Sequence, residues 1–180
     1  MTDASGQQRM LVLLRHAKAE QPTADGPDIE RPLSARGRAD AAAAGAWLAR
    51  HGLLPELVIC SAALRTRQTW HHVEMGMTGS PAEGGPAGPF PIVRYEPDAY
   101  EAHPEDLLTL LRRVEPSIGT VLLIAHNPGI SLLSDSLDPQ GAYPDGLRTS
   151  DLVRHRPTVP SWAELGRGTA PIDLRHTARG

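Results

Sequence analysis

The chain has 180 residues, and its 18 Lys and Arg against 21 Asp and Glu give a formal net charge of −3. A mildly acidic chain is not expected to grip nucleic acid in general, so any anion site must be a local basic cluster. The length predicts one domain over residues 1–180, and the single cysteine, Cys60, excludes an internal disulfide and suits a reducing compartment.

Neither a secretory signal nor a long apolar run is evident, so we expect a cytoplasmic protein with no membrane partner. Residues 1–9 are polar and predicted to be frayed. The apolar run Met10–Leu14 predicts a short strand that is buried on both faces. Ser34 is a suitable N-cap for a helix from Ala35 to His51, which Gly52 ends.

The middle of the chain repeats this alternation. Leu57–Cys60 predicts a second strand, and a helix follows from about Ala62 to Glu74. Residues 76–91 are dominated by Gly and Pro and predict a flexible loop. Ile92–Tyr95 is a third candidate strand, and Pro104 begins a helix that runs to about Val114.

Thr120–Ala125 is the clearest buried strand, and a helix is expected from Ile130 to Leu137. From Ala142 onward the pattern weakens. Leu152-Val153 favours an edge strand, and Trp162 is expected to cover the core. Strands that alternate with helices predict a three-layer α/β/α sandwich around a mostly parallel sheet.

Polar side chains follow three of these strands where each strand ends. They are Arg15 and His16, Ser61 and Arg65, and His126 and Asn127. If the strands lie side by side and parallel, all three ends open on one rim, where such sheets bind ligands. Taken alone, Arg15 and His16 could equally be part of a basic surface loop.

Guanidinium and imidazole groups on one rim suit phosphoryl transfer. Guanidinium forks match phosphate oxygens in pairs, and a neutral imidazole can attack phosphorus and carry the phosphoryl group. The second histidine, if it is protonated, would add a donor and a positive charge to the same group. The residues alone therefore allow transfer through a phosphohistidine.

Four segments resemble, in the correct order, the histidine phosphatase (phosphoglycerate-mutase-like) superfamily. They are Leu14–Glu20, Asp28–Ser34 with Gly37 behind it, Ser61–Thr69, and Ala125–Gly129. The form with Ala17 after Arg-His, followed by Lys-Ala-Glu, is similar to the SixA branch of phosphohistidine phosphatases. The resemblance covers about residues 10–137 and implies a phosphoglycerate-mutase-like fold.

The resemblance also implies roles for the residues at the strand ends. His16 would be the nucleophile, and Arg15, Arg65 and His126 would clamp the phosphoryl group. Ser61 would line the pocket and Asn127 would shape the turn after the second histidine.

Other polar residues in the matching segments keep two interpretations. Lys18 could reach the phosphate or be a solvated loop cation, and Glu20 is interpreted as an orienting or surface residue. Arg31 could contact substrate or, as the favoured reading, pair with a carboxylate such as Asp28.

The general acid is the role for which the resemblance is thinnest. Many family members place a carboxylate after the third strand, where the candidates here are Glu101 and, second, Asp98. Either could instead be a charge near the start of the helix at Pro104, where the helix dipole favours it. A site without a firm acid suits phosphoramidates, because an imidazole leaves more readily than an alkoxide.

We therefore expect a phosphatase that uses no metal and no cofactor and acts on protein phosphohistidine. The other six histidines lack the spacing of metal ligands. The alternatives are a small-molecule phosphomonoesterase of the same superfamily and a module that binds phosphorylated partners without turnover. A mutase is less favoured, because no long insertion suggests a cap that closes the pocket.

Overall fold

The structure is a computed structural model, and it describes residues 8–79 and 91–180. Its strands are β1 (Met10–Arg15), β2 (Leu57–Ser61), β3 (Ile92–Glu96), β4 (Thr120–Ala125), β5 (Asp151–His155) and β6 (Ile172–Thr177). Its α-helices are α1 (Ala35–Arg50), α2 (Leu64–Thr78), α3 (Pro104–Arg112) and α4 (Gly129–Leu137). In the described ranges, no helix combines the length and the apolar character that a membrane span needs.

The six strands form one sheet in the order β3-β2-β4-β1-β5-β6. Its first four strands are parallel, whereas β5 and β6 run antiparallel to their neighbours. Arg15 lies opposite Ala125, and Cys60 lies opposite Ile124. The carboxyl ends of β2, β4 and β1 are therefore level with one another, and the prediction of a mostly parallel sheet is confirmed.

Helices cover both faces of the sheet, because successive side chains of a strand point to opposite faces. On β1, Leu11 and Leu13 join the core that α3 and α4 complete, and Val12 and Leu14 join the core of α1 and α2. Each residue of β4 is buried, as expected for a central strand with helices on both sides. The result is the predicted α/β/α sandwich.

Glycines allow α1 and α2 to approach each other closely. A Cβ atom on Gly45 would overlap the carbonyl oxygen of Val73, and one on Gly76 would overlap that of Ala42. The obstacle in each case is backbone, which cannot rotate away as a side chain can. Contact between these two helices therefore depends on the absence of a side chain at both positions.

Replacing Gly45 by alanine should force α1 and α2 apart. We expect a loss of about 2 kcal/mol or more in the free energy of unfolding, despite the better helix propensity of alanine. Urea denaturation measures this loss. Gly166→Ala is the control, because a Cβ there meets only the end of the Arg112 side chain, and a control loss as large as that of Gly45→Ala would contradict the account.

The C-terminal part differs from the prediction. Leu152 and Val153 lie in β5, which pairs with β1 on one side and β6 on the other, so they do not form an edge strand. The edge is β6, which the sequence analysis missed, although its burial alternates along Ile172–Thr177 as in a half-buried strand. Trp162 is 1% exposed and packs in the core as expected.

Two predicted loop boundaries also shift. Helix α2 continues to Thr78, so residues 76–78 are helical and not part of a loop, and residues 80–90 lie outside the described residues. Of residues 1–9, which are predicted to be frayed, residues 1–7 also lie outside the described residues. Arg9, by contrast, is buried and donates from Nη2 to the carbonyl oxygen of Pro116 at 3.3 Å.

Candidate active site

The level ends of β1, β2 and β4 place predicted site residues around one cavity of about 270 Å³. The predicted residues on its wall are Arg15, His16, Lys18, Arg65, His126 and Asn127. They come from segments that are far apart in the chain, and the parallel arrangement of the strands brings them together. Arg31 lies on the same wall.

His16 follows β1 and continues its ladder, since its backbone N–H donates to the carbonyl of Ala125 at 3.2 Å. Its Nδ1 lies 2.8 Å from the carbonyl oxygen of Ala17. A carbonyl oxygen can only accept, so Nδ1 carries the proton and Nε2 keeps the lone pair. Burial, and then the charges of Arg65 and Arg15, lower the pKa of His16 to about 4. At neutral pH the ring is therefore uncharged and nucleophilic at Nε2.

His126 lies beside it, with 5.2 Å between the two ring centroids. Its Nε2 is 2.7 Å from Oγ of Ser61. Burial, with His16 and Arg65 adding to it, lowers the pKa of His126 to about 3. The second histidine is thus neutral at pH 7, so it does not carry the positive charge that the sequence analysis considered.

Ser61 is not a residue of the pocket wall, which corrects the expectation that it lines the pocket. It is fully buried at the end of β2 and lies behind the ring of His126. Its Oγ accepts weakly from the N–H of Ala63 at 3.4 Å, so its own proton is free to go to Nε2 of His126. His126 then carries its proton on Nδ1, which is buried and has no partner in the part of the chain that the structure describes.

The two guanidinium groups share one pattern. Arg15 donates from Nη1 to the carbonyl of Leu147 at 2.9 Å, and Arg65 donates from Nη1 to the carbonyl of Asp28 at 2.9 Å. In both, the buried Nε has no partner within residues 8–79 and 91–180. A buried N–H without an acceptor costs about 1–3 kcal/mol, which an anion in the cavity would relieve.

Asn127 and Lys18 lie on the wall in different ways. Asn127 donates from Nδ2 to the carbonyl of Leu147 at 2.8 Å and accepts from Oγ of Ser131 at 2.5 Å, so it joins α4 to the loop at Leu147. The same carbonyl accepts from Arg15. The side chain of Lys18 is exposed at the rim, whereas its carbonyl accepts from the N–H and Oγ of the N-cap Ser34.

Sequence reasoning considered Asp28 only as a possible partner of Arg31. The structure confirms that pair at 3.0 Å and also joins the carboxylate to Arg65 at 3.0 Å. Tyr100 donates to the same carboxylate at 2.6 Å. Arg31 thus pairs with Asp28, as the favoured interpretation has it, and it also lies on the cavity wall, so its contact with substrate stays a prediction.

Glu101 is not brought into the cavity. It is exposed and lines a separate cavity together with Asp106 and Arg113. Its backbone has a φ of 52°, and the preceding residue, Tyr100, also lines that separate cavity but places its hydroxyl on Asp28. The ring centroid of Tyr100 lies 5.5 Å from that of His126. The same separate cavity includes Asp98, the second candidate acid.

The charges of the wall suit a doubly charged anion. Four cations surround the cavity, namely Arg15, Lys18, Arg31 and Arg65, and Asp28 offsets part of their charge. The two imidazoles are neutral at pH 7. As for metals, no three His, Cys, Asp or Glu side chains among the described residues are grouped so that they could hold an ion.

The two buried histidines should make the stability depend on pH. In the unfolded chain they bind protons near pH 6.5, but in the folded state only near pH 4 and below. The unfolded state binds more protons between these values, so stability is lost as the pH falls through this window. We expect the His16→Asn/His126→Asn protein to lose at least about 1 kcal/mol less between pH 7 and pH 4.5 in urea denaturation. Equal losses in both proteins would contradict the assigned neutrality.

Comparisons with known proteins agree with this geometry. Residues 11–83 match the family described as the histidine phosphatase superfamily (branch 1). An uncharacterised protein of Mycobacterium tuberculosis is 37% identical over 122 residues, which are 67% of each chain.

Two solved structures are also similar. A Nakamurella multipartitia protein that has been assigned as a phosphohistidine phosphatase SixA has a TM-score of 0.73 at 28% identity, over 95% of this chain and 96% of that one. A mycobacterial glucosyl-3-phosphoglycerate phosphatase has the same fold, with a TM-score of 0.64 at 19% identity, over 96% of this chain and 100% of that one. The chain therefore belongs to the histidine phosphatase superfamily, as a phosphatase of the SixA type.

Proposed function

We propose that the protein removes phosphoryl groups from phosphohistidine in proteins, in two steps and without a metal ion, through a covalent phosphohistidine on His16. One observation carries the chemistry. Nδ1 of His16 is tied to the carbonyl of Ala17, which leaves an uncharged Nε2 in a cavity with two guanidiniums.

In the first step, the lone pair of His16 Nε2 attacks phosphorus and forms an N–P bond. The bond from phosphorus to the leaving group breaks, and the leaving imidazole takes that electron pair and a proton from solvent water. Arg15 and Arg65 hold the phosphoryl oxygens, on which the transition state spreads its charge. The His126 Nδ1–H, which has no partner among the described residues, supplies a further donor to the same oxygens.

In the second step, water attacks the same phosphorus from the side that the leaving group has left. The N–P bond breaks, His16 recovers its lone pair, and the released proton goes to solvent or phosphate. The products are inorganic phosphate and the unchanged enzyme.

The proposed preference for phosphohistidine rests on the proton that the leaving group needs. Asp28 is the carboxylate that pairs with Arg31 and Arg65 of the cavity wall, and its pKa is lowered to about 2, first by the hydrogen bond from Tyr100. It is therefore ionised at neutral pH and has no proton to give. An alkoxide needs that proton more than an imidazole does, so a phosphoramidate is the better substrate for such a site.

The space around the cavity supports a large substrate. Arg31 and Gln21 line both the phosphate cavity and a neighbouring one of about 590 Å³, formed by the loop from Glu20 to Pro32. A cavity of this size holds a drug-sized group. We propose that it receives the polypeptide around the phosphorylated side chain.

The substrate class is tested by comparing kcat/KM for a phosphohistidine peptide with values for sugar phosphates, nucleotide monophosphates and an aryl phosphate. We expect the phosphohistidine peptide to be preferred by about 100-fold, the contribution of a general acid that only the alcohols require. His16→Ala is the control for contaminating phosphatase. A preferred sugar or nucleotide phosphate would make the protein a small-molecule phosphomonoesterase, and tight binding without turnover would make it a recognition module.

The Glu101→Gln variant tests whether Glu101 is the general acid. Because Glu101 lines a different cavity, we expect the variant to keep nearly all its activity on oxygen esters. Loss of a general acid would instead lower kcat by about 10² or more. A drop of that size on a sugar phosphate and not on the phosphohistidine peptide would restore Glu101 to the acid role.

A further inference from the structure

The Asp28 carboxylate ties together three side chains from different parts of the chain. Its Oδ2 accepts from Nη2 of Arg65 at 3.0 Å and from the hydroxyl of Tyr100 at 2.6 Å. Its Oδ1 accepts from Nη2 and Nε of Arg31 at 3.0 and 3.2 Å. Each carboxylate oxygen thus has two donors, which uses the capacity of the group.

Asp28 sets the orientation of Arg65 with two acceptors. The side-chain Oδ2 binds Nη2, and the main-chain carbonyl of the same residue binds Nη1 at 2.9 Å. Two acceptors on one planar fork fix the plane of the guanidinium. The ring of Tyr100 lies 5.7 Å from its central carbon and limits movement on that side. Asp28 thus takes one N–H from each Nη, and the donors left for a ligand include the buried Nε N–H, which has no partner in the described part of the chain.

The same carboxylate opposes the binding of an anion. Asp28 stays negative at neutral pH, because Tyr100 and the two arginines hold its pKa far below the usual range. The negative charge of Asp28 lies against the guanidinium of Arg65, which must also hold the phosphate. It therefore weakens the attraction between that guanidinium and the phosphate. Asp28 thus improves the orientation of Arg65 while it weakens the affinity of the site for phosphate. Such an arrangement favours binding of the transition state over binding of the substrate.

We propose that Asp28 is a positioning residue that orients the guanidinium of Arg65, and with it that of Arg31, toward the phosphoryl group while it is transferred. The negative charge of Asp28 at the same time lowers the affinity of the site for phosphate. This inference rests on the proposed function, since it concerns the same reaction. Asp28 acts through the arginines and does not touch the phosphoryl group.

The first test is Asp28→Asn, with steady-state turnover of p-nitrophenyl phosphate and inhibition by inorganic phosphate as the two readouts. We expect kcat to fall by about 10²-fold, the cost of a misplaced group. The Ki for phosphate should fall, because a negative charge has been removed. The control is Asp25→Asn, which removes an exposed carboxylate from the same loop. Unchanged kcat, or an equal loss of turnover and of phosphate affinity, would overturn the proposal.

A second variant separates geometry from charge. Asp28→Glu keeps the negative charge but moves it by one methylene group, so kcat should fall while the Ki for phosphate does not improve. If Asp28→Glu binds phosphate as tightly as Asp28→Asn, the charge of Asp28 does not restrain affinity and the proposal fails.

The mutant cycle with Arg65→Ala tests whether Asp28 acts through that arginine. Without the Arg65 guanidinium only Arg31 remains for Asp28 to orient, so Asp28→Asn should cause a much smaller further loss of kcat in the Arg65→Ala protein than in the wild type. Losses that simply multiply would show independent roles and refute the proposal. A wild-type protein that turns over no phosphate compound refutes the proposed function and this inference together, whereas an active wild type with an equally active Asp28→Asn refutes the inference alone.

Discussion

Replacing His16 by alanine is expected to lower kcat by about 10⁴-fold or more, because the variant cannot form the N–P bond through which both steps pass. Phosphate should still bind, since the groups that hold its oxygens remain. Steady-state kinetics on p-nitrophenyl phosphate give kcat, and calorimetry with inorganic phosphate gives the affinity. The prediction therefore separates the nucleophile from the groups that hold the anion.

The matched control is His71→Ala, which removes an exposed histidine on α2. Its kcat should equal that of the wild type. If His16→Ala retains a tenth of the wild-type kcat, attack by His16 is wrong and water must attack the substrate directly.

Arg65→Ala is the second change with a large expected effect. One lost donor to developing charge costs about 10²–10³-fold in kcat. Arg65→Lys should recover little of this loss of kcat. The ammonium group of a lysine cannot donate to both acceptors of Asp28 and also present a planar pair of N–H groups to the phosphoryl oxygens. The measurement is kcat for both variants with the aryl phosphate.

Arg67→Ala is the control for Arg65, because Arg67 is an exposed cation on the same helix two residues further on. It should change kcat little. Equal losses for Arg65→Ala and Arg67→Ala would mean that the general positive charge of α2 matters and that the buried guanidinium has no special role.

The strands that carry the site could be predicted from local sequence because each is a short, buried, apolar run that stops at a polar pair. Met10–Arg15 and Thr120–Ala125 are of this kind. Their adjacency in the sheet is set by long-range pairing, and the sequence analysis could state it only as a condition. The weak strand Ile172–Thr177 was missed because four of its six side chains are polar.

Side-chain direction was the part of the site that the sequence could not supply. Ser61 follows a strand as predicted, but its side chain supports His126 from behind. After the third strand, the sequence cannot say that the side chain of Tyr100, and not that of Glu101, reaches Asp28 and His126. The role of Asp28 was hidden for a related reason, since its partners Arg65 and Tyr100 lie 37 and 72 positions away along the chain.

The most direct test of the account is to trap the phosphorylated enzyme. Protein mixed with ³²P-labelled substrate and quenched in alkali within the first turnover should carry label that is stable to alkali and lost in acid, as expected of phosphohistidine. Mass spectrometry should place it on His16, and His16→Ala should carry none. Turnover by the wild type without any trapped label, or label that persists in His16→Ala, would contradict the covalent mechanism.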